Sequence, residues 1–353
     1  VSVLVVGAGP TGLTAAIELA RHGITLTIID RKESPSTLSR AVGITPRSLE
    51  MLSHSGASDA LIAEGTPIDG LRVYQGQSLK LAMPVHSERS FFPSLLGLAQ
   101  DRTEAILAEV LTKYGVAVRY GVQLEKLSET PEGVVAQYEG GQLETFDHVI
   151  GADGVRSVVR EQAGIAYPGI DLDQEWSIAD VDLAGWEHPH CLTLVQAGPG
   201  TIAMVVPLGE YRYRLVSSRG NARETMPLAL NVTKLRREGR FNISIRRAET
   251  FSTGKIHLAG DAAHCHSPVG GRGMNLGIGD AVELSRRMVE GGLGDYSEVR
   301  HVEAEHAARI TERGRKMVLG IHPARRFAFR AIVSAVNVLP PVKKRLGRFI
   351  VEF

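Results

Sequence analysis

Apolar residues cluster, alternate and repeat along the chain in an order that predicts a mixed α/β fold. Residues 3–6 form a short apolar run, 13–22 repeat apolar positions at helical spacing, and 26–29 form a second run. Helices are predicted over 46–52, 59–63 and 100–111, and strands over 71–74 and 79–83, with an irregular crossing over 86–93. Short strands follow over 116–120, 124–127 and 134–138, and a buried strand over 146–150 leads into a helix from Ser157. From Trp176 to Ser218 the period becomes two, which predicts four antiparallel-type strands. Residues 221–240 are polar with weak helical spacing, and 242–246 predict one more strand. A strand over 255–259, a helix over 281–289 and a long charged helix from Tyr296 complete the ordered pattern. The tail from Arg325 mixes apolar residues with Lys343, Lys344, Arg345 and Arg348. Such a pattern suits an anionic membrane surface or, the reading favoured here, a helix packed on its own protein with lysines outward.

Glycine-bearing turns interrupt this pattern at three strand ends. Gly7-Ala-Gly-Pro-Thr-Gly12 sits between strand and helix, and the next strand delivers Asp30 eighteen residues after Gly12. That is the dinucleotide-binding arrangement: Gly7 for the turn, Gly9 for approach of a pyrophosphate, Gly12 for close packing, Asp30 for ribose hydroxyls. The motif alone does not separate NAD from FAD. Gly151-Ala-Asp-Gly154 follows the strand over 146–150, where Asp153 suits polar contact with a cofactor or an ordinary turn. The third stretch, 258–280, carries Gly260, Gly270, Gly271, Gly273, Gly277 and Gly279 with Pro268 among them, ahead of a helix. So many glycines suit a backbone lying against a ligand with its N–H groups aimed at it. Arg40 lies in a loop and suits a phosphate, a ring edge or plain solvent. Tyr211 and Tyr213 share one strand face and Arg212 and Arg214 the other, and either face can meet a substrate.

Composition narrows the class. With 353 residues, 43% hydrophobic and 22% charged, the chain is globular and long enough for two domains. A net charge of +1 carries no nucleic-acid footprint. Two distant cysteines and no spanning apolar run fit a cytoplasmic protein without a signal peptide. His264 and His266 flank Cys265 without further ligands nearby, so no metal site is expected.

The three motifs, in this order and spacing, resemble the single-component FAD-dependent aromatic hydroxylases, the class A flavoprotein monooxygenases of the para-hydroxybenzoate hydroxylase fold. The wording from His266 to Asp280 is most similar to the branch acting on phenols and polyketide aromatics. The resemblance implies a Rossmann-like FAD-binding domain (1–70, 95–170 and 250–320), an inserted antiparallel β-sheet substrate domain (71–94 and 171–249) and a C-terminal helical segment (321–353). Relatives in the polyketide branch often carry an extra C-terminal thioredoxin-like domain, which this chain is expected to lack. FAD, held tightly and non-covalently, would meet Gly7, Gly9, Pro10, Thr11, Gly12, Asp30 and Arg31 at its pyrophosphate and ribose. Arg40 and Gln100 would lie along the cofactor, Asp153 would serve FAD and NAD(P)H, and Gly260 and Asp261 would hold the ribityl chain. Pro268, Gly270, Gly271, Arg272, Gly273, Met274 and Asn275 would line the flavin ring, the helix after them turning its positive end toward reduced flavin. No catalytic base is identified. The implied reaction uses NAD(P)H as transient reductant and O2, and hydroxylates a small phenolic or polycyclic aromatic substrate through a C4a-hydroperoxyflavin. A quinone-pathway hydroxylase, a Baeyer–Villiger-like oxygenase and an isoprenoid reductase are same-fold alternatives. A monomer or homodimer is expected.

Overall fold

The structure, a computed structural model, describes all residues except 36–40, 42, 89, 269, 321 and 353, and the side chains of 323 and 326. Arg40 therefore lies outside the described residues.

Helices in chain order are α1 (Pro10–Arg21), α2 (Pro46–Leu52), α3 (Ala57–Glu64), α4 (Gln100–Lys113), α5 (Val158–Gln162), α6 (Gly273–Glu290), α7 (Tyr296–Leu319), α8 (Pro323–Val338) and α9 (Pro340–Glu352). A six-stranded sheet runs in the order Ser252–Thr253, Ile256–Leu258, His148–Gly151, Ser2–Val6, Thr25–Asp30, Arg119–Tyr120. All its pairings are parallel except that of the first strand, Ser252–Thr253. Val3, Leu4, Val5, Ile28, Ile29, Val149 and Ile150 are fully buried in it, as expected of a parallel sheet with helices against it. The first glycine motif builds the tightest contact. Gly7 has φ +104°, open only to glycine, and a Cβ on Gly12 would collide with the Gly7 carbonyl oxygen.

A second, eight-stranded sheet takes strands from 70–84, 169–217, 232–247 and 264–265. Its strand Val232–Arg247 pairs antiparallel with Gly169–Leu183 over most of its length. The sequence pattern gave only 242–246 of it. Residues 232–240 are polar on both faces and mostly exposed, so no alternation marks them. One face of this sheet packs Val181, Leu183, Val205, Tyr213 and Leu215 into a separate core with Ala222 and Met226. The other buries Trp176, Ile178, Ile202, Val216 and Leu319. Cys191 and Cys265 are both free. No described helix is long and apolar enough to cross a membrane.

Within the parallel sheet, His148 and His257 stand side by side on adjacent strands, Nδ1 to Nε2 at 3.2 Å, and His257 Nδ1 meets the Ser252 hydroxyl at 2.8 Å. Burial, helped by His148, pushes the His257 pKa down to about 3. An unfolded histidine titrates near 6.5, so between about 6.5 and about 3 the unfolded chain binds the extra proton. Stability is expected to fall as pH drops through this window. Denaturant unfolding from about pH 7 to about pH 5 should show a shallower pH dependence in His257→Gln, and equal slopes in both proteins would refute this source.

Candidate functional site

Three adjacent parallel strands, Ile256–Leu258, His148–Gly151 and Ser2–Val6, end side by side, and each is followed by one of the glycine motifs. This is the edge of an open α/β sheet where ligands bind. Gly9 caps α1 in an extended conformation with Pro10 after it, and no side chain caps the helix. A Cβ on Gly9 would meet no atom within 4 Å. The first N–H groups of a helix lack intrahelical acceptors and lie at its positive end, so an uncapped, unobstructed end suits a phosphate. Asp30, buried at the end of its strand, accepts from the Ala8 N–H at 2.8 Å and the Lys32 N–H at 2.9 Å. Arg31 beside it is exposed. Thr11 does something the sequence did not indicate. It wedges between the first and third motifs, and a Cβ on Gly260 or Gly277 would strike its side chain.

The second motif turns inward. The Asp153 carboxylate accepts from Ser157 Oγ at 2.5 Å and from the N–H groups of Val158 and Val159 at 2.7 and 3.2 Å, capping α5. Burial raises its pKa against these bonds. Its side chain thus serves the turn.

The third motif is held by a buried charge. Asp280, in α6, accepts on Oδ2 from the Gly260 N–H at 2.9 Å and from His264 Nε2 at 2.6 Å. Its Oδ1 accepts from Arg300 Nε, in α7, at 2.6 Å. Burial raises the Asp280 pKa, but the charges of His264 and Arg300 more than offset that and leave it below the usual carboxylate range. Asp261 follows Gly260 on a 3₁₀ turn and is exposed, while Gly260 and Ala262 are buried. Gly271 N–H closes a turn on the Pro268 carbonyl at 2.9 Å, with Gly270 and Gly271 both at positive φ. Helix α6 then starts at Gly273, ahead of the stretch 281–289 predicted as helix, and its first turn has no side-chain cap. Met274 points into the main core. Asn275 spends its side chain on the chain itself: Oδ1 accepts from Thr45 N–H and Ser48 Oγ, both at 2.8 Å, and Nδ2 donates to the Gly43 and Gly271 carbonyls, both at 2.9 Å. Any ring contact there falls to backbone. Arg272 Nη2 donates to the Ile350 carbonyl of α9 at 2.9 Å.

Two further groups complete the surroundings. Gln100 accepts from the Ala41 N–H at 3.1 Å and donates to Glu104 at 2.8 Å; burial pushes that carboxyl up to about 7. On the eight-stranded sheet, fully buried Asp180 binds Arg214 through Nε at 2.6 Å and Nη2 at 2.9 Å, and Arg212 at 3.1 Å. Burial raises the Asp180 pKa and the arginines more than reverse it. Arg214 Nη1 donates to the Ala41 carbonyl at 3.1 Å, and Arg212 pairs with Asp101 of α4 at 3.3 Å. The arginine face of this strand therefore looks toward Ala41 and α4, while Tyr213 packs in the opposite core and Tyr211 is exposed. The alternation was visible in sequence, but which face turned inward was not. His266, between the two glycine groups, donates from Nδ1 to the Ser267 carbonyl at 3.0 Å, and its buried Nε2 has no hydrogen-bond partner. Burial pushes its pKa down to about 4, so at neutral pH it offers a bare acceptor.

A groove of about 570 Å3 lies at the 70–84 hairpin and shares no residue with the motifs. A cavity of about 270 Å3 opens between α2, α6, α7 and α9, bordered by Arg47, Arg272, Asn275, Arg300 and Glu352.

Fold and turns together define a flavin- or nicotinamide-type dinucleotide-binding protein, with two uncapped helix ends packed against one another beside a buried acceptor. The chain belongs to the FAD binding domain family, which matches residues 1–230 and 222–310. It is 34% identical to a 6-methylpretetramide 4-monooxygenase of Streptomyces rimosus, over 98% of this chain and 64% of that protein, and so spans less than two thirds of that relative's length. It is 30% identical to an uncharacterized aromatic compound monooxygenase of Bacillus subtilis, over 97% of this chain and 73% of the other. A p-nitrophenol 4-monooxygenase of Pseudomonas putida superposes with a TM-score of 0.88 over 98% of this chain and 96% of its own, at 23% identity, a likeness of fold.

Asp280→Asn leaves buried Arg300 with Glu303 at Nη1 but without the carboxylate at its Nε. Breaking such a pair costs about 3–5 kcal/mol, so the thermal midpoint is expected to fall by many degrees. An unchanged midpoint would show that the Asp280 bridge is not what holds α6 and α7 to the loop.

Proposed function

We propose that this chain is a single-component FAD-dependent monooxygenase that uses NAD(P)H and O2 to hydroxylate a phenolic or polycyclic aromatic substrate. The observation that carries the reading is the open α1 end at Gly9, locked through Thr11 against the uncapped α6 end. The names of the two monooxygenase relatives support the chemistry. When bound, FAD would take electrons from NAD(P)H and activate O2. Gly9 and Gly12 would receive its pyrophosphate, Asp30 its ribose, and Asp261 its ribityl hydroxyls. The α6 N-terminus would favour negative charge on the ring through aligned N–H groups, without a mobile cation. The Asp180–Arg214 layer would close the sheet side and hold the 41–45 segment in place. The apolar residues beside it, Ile178 and Val216, would keep water from the reacting ring.

Two glycine variants separate this reading from a fold effect. Gly9 has φ −78° and open space, so Gly9→Val should fold with an unchanged melting temperature when flavin-free, yet lose the visible flavin spectrum. Gly12→Val should lose the fold, because its Cβ strikes the Gly7 carbonyl. A Gly9→Val protein that purifies yellow would sink the site. With the unmodified protein, NADPH and NADH oxidation in air should be stimulated by one class of phenol or polycyclic ring, giving a product one oxygen heavier. Bound flavin without stimulation by any ring would overturn the hydroxylase assignment.

A further inference from the structure

The surface of α8 is built the wrong way round for a helix in water. Val333 and Val336 face the protein, in a core with Leu81, Met83 and Val351. At about 100° per residue, the positions opposite them are Phe327, Ala331 and Val338. Phe327 is 76% exposed and Val338 75%, and Ile332, Leu339 and Val342 extend the apolar surface toward α9. A solvated helix puts polar groups there; a face this apolar suits a non-aqueous neighbour.

Charge indicates which neighbour. Residues 321–353 hold seven Lys or Arg and one acid, Glu352, while the whole chain is only +1. Lys344 and Arg348 pair at the surface with Glu88 at 2.8 and 3.7 Å. Arg325, Arg330 and Arg345 are exposed beside the apolar surface. A second copy docked on this face would bring two strongly basic segments together with almost no acid between them, which repels. An anionic lipid surface satisfies both features, taking the apolar face into the acyl boundary and the cations to the headgroups.

We propose that α8 and the start of α9 form a peripheral membrane-binding face for anionic bilayers, lying on the surface without crossing it. The sequence pattern favoured lysines turned to water; the exposed phenylalanine and valines of α8 are what change that reading. The proposal stands apart from the assigned chemistry and needs no flavin to be tested.

The experiment is co-sedimentation of the purified protein with phosphatidylcholine vesicles, with and without phosphatidylglycerol, at low and high salt. Binding is expected only with phosphatidylglycerol, weakening as salt rises. Two double variants, Phe327→Glu with Val338→Glu and Arg330→Glu with Arg345→Glu, should each weaken binding about tenfold or more. Their exposed positions predict unchanged thermal midpoints. Protein that stays in the supernatant, or binding that neither variant changes, would overturn the proposal. A dimer in solution that Phe327→Glu with Val338→Glu dissociates would also overturn it, assigning the face to a second copy.

Discussion

Thr11 is the constraint on which the candidate site depends. Its side chain occupies the space that a Cβ on Gly260 or Gly277 would need, so the first turn of α1 packs closely against both α6 and the Gly260 turn. Two helix ends, neither with a side-chain cap, are thereby fixed beside each other beyond the parallel strands Ser2–Val6 and Ile256–Leu258, which flank His148–Gly151. Neither end would be useful alone. A cofactor with phosphates at one end and a ring that gains charge at the other needs both, held at a constant distance. Packing a short β-branched side chain against glycines supplies that constancy more firmly than long flexible side chains would.

Buried charge supplies the second level of order. Asp280 joins the Gly260 turn, α6 and α7 through one carboxylate, and Asp180 joins the eight-stranded sheet to the 41–45 segment through Arg214. Each pair is expensive to desolvate, and hydrophobic replacements of the same shape would often serve stability as well. What a charge pair adds is direction. Arg214 can satisfy Asp180 and the Ala41 carbonyl at once in only one orientation of sheet and segment. The two sheets are thus set relative to the glycine turns by geometry that an apolar contact would leave free to slide.

Local features of this arrangement were readable in the sequence, and long-range ones were not. The turn at Gly7, the helix after it and the acid at Asp30 lie within one short stretch, and their spacing alone recovers the unit. The bridge from Asp280 to Arg300 joins two helices, and no period or spacing in the sequence joins them. Asn275 shows the limit differently. Its position in the loop was recognisable, but a side chain with two donors and an acceptor satisfies whatever lies nearest, here the Thr45 and Gly43 backbone. The strand over 232–247 was hidden because its first half carries polar residues on both faces.

Arg272 ties the C-terminal helices to the same loop, and the physics of that contact is unusually one-sided. Its guanidinium is buried, and burial pushes its pKa down to about 10. It donates to the Ile350 carbonyl, in the last turn of α9, where carbonyls lack intrahelical partners and the helix dipole is negative. The contact satisfies both groups together. If α9 shifts, a buried cation at the N-terminus of α6 loses an acceptor. The glycine loop and α9 are therefore joined by a buried, charge-assisted hydrogen bond that places the end of the helix against the start of α6.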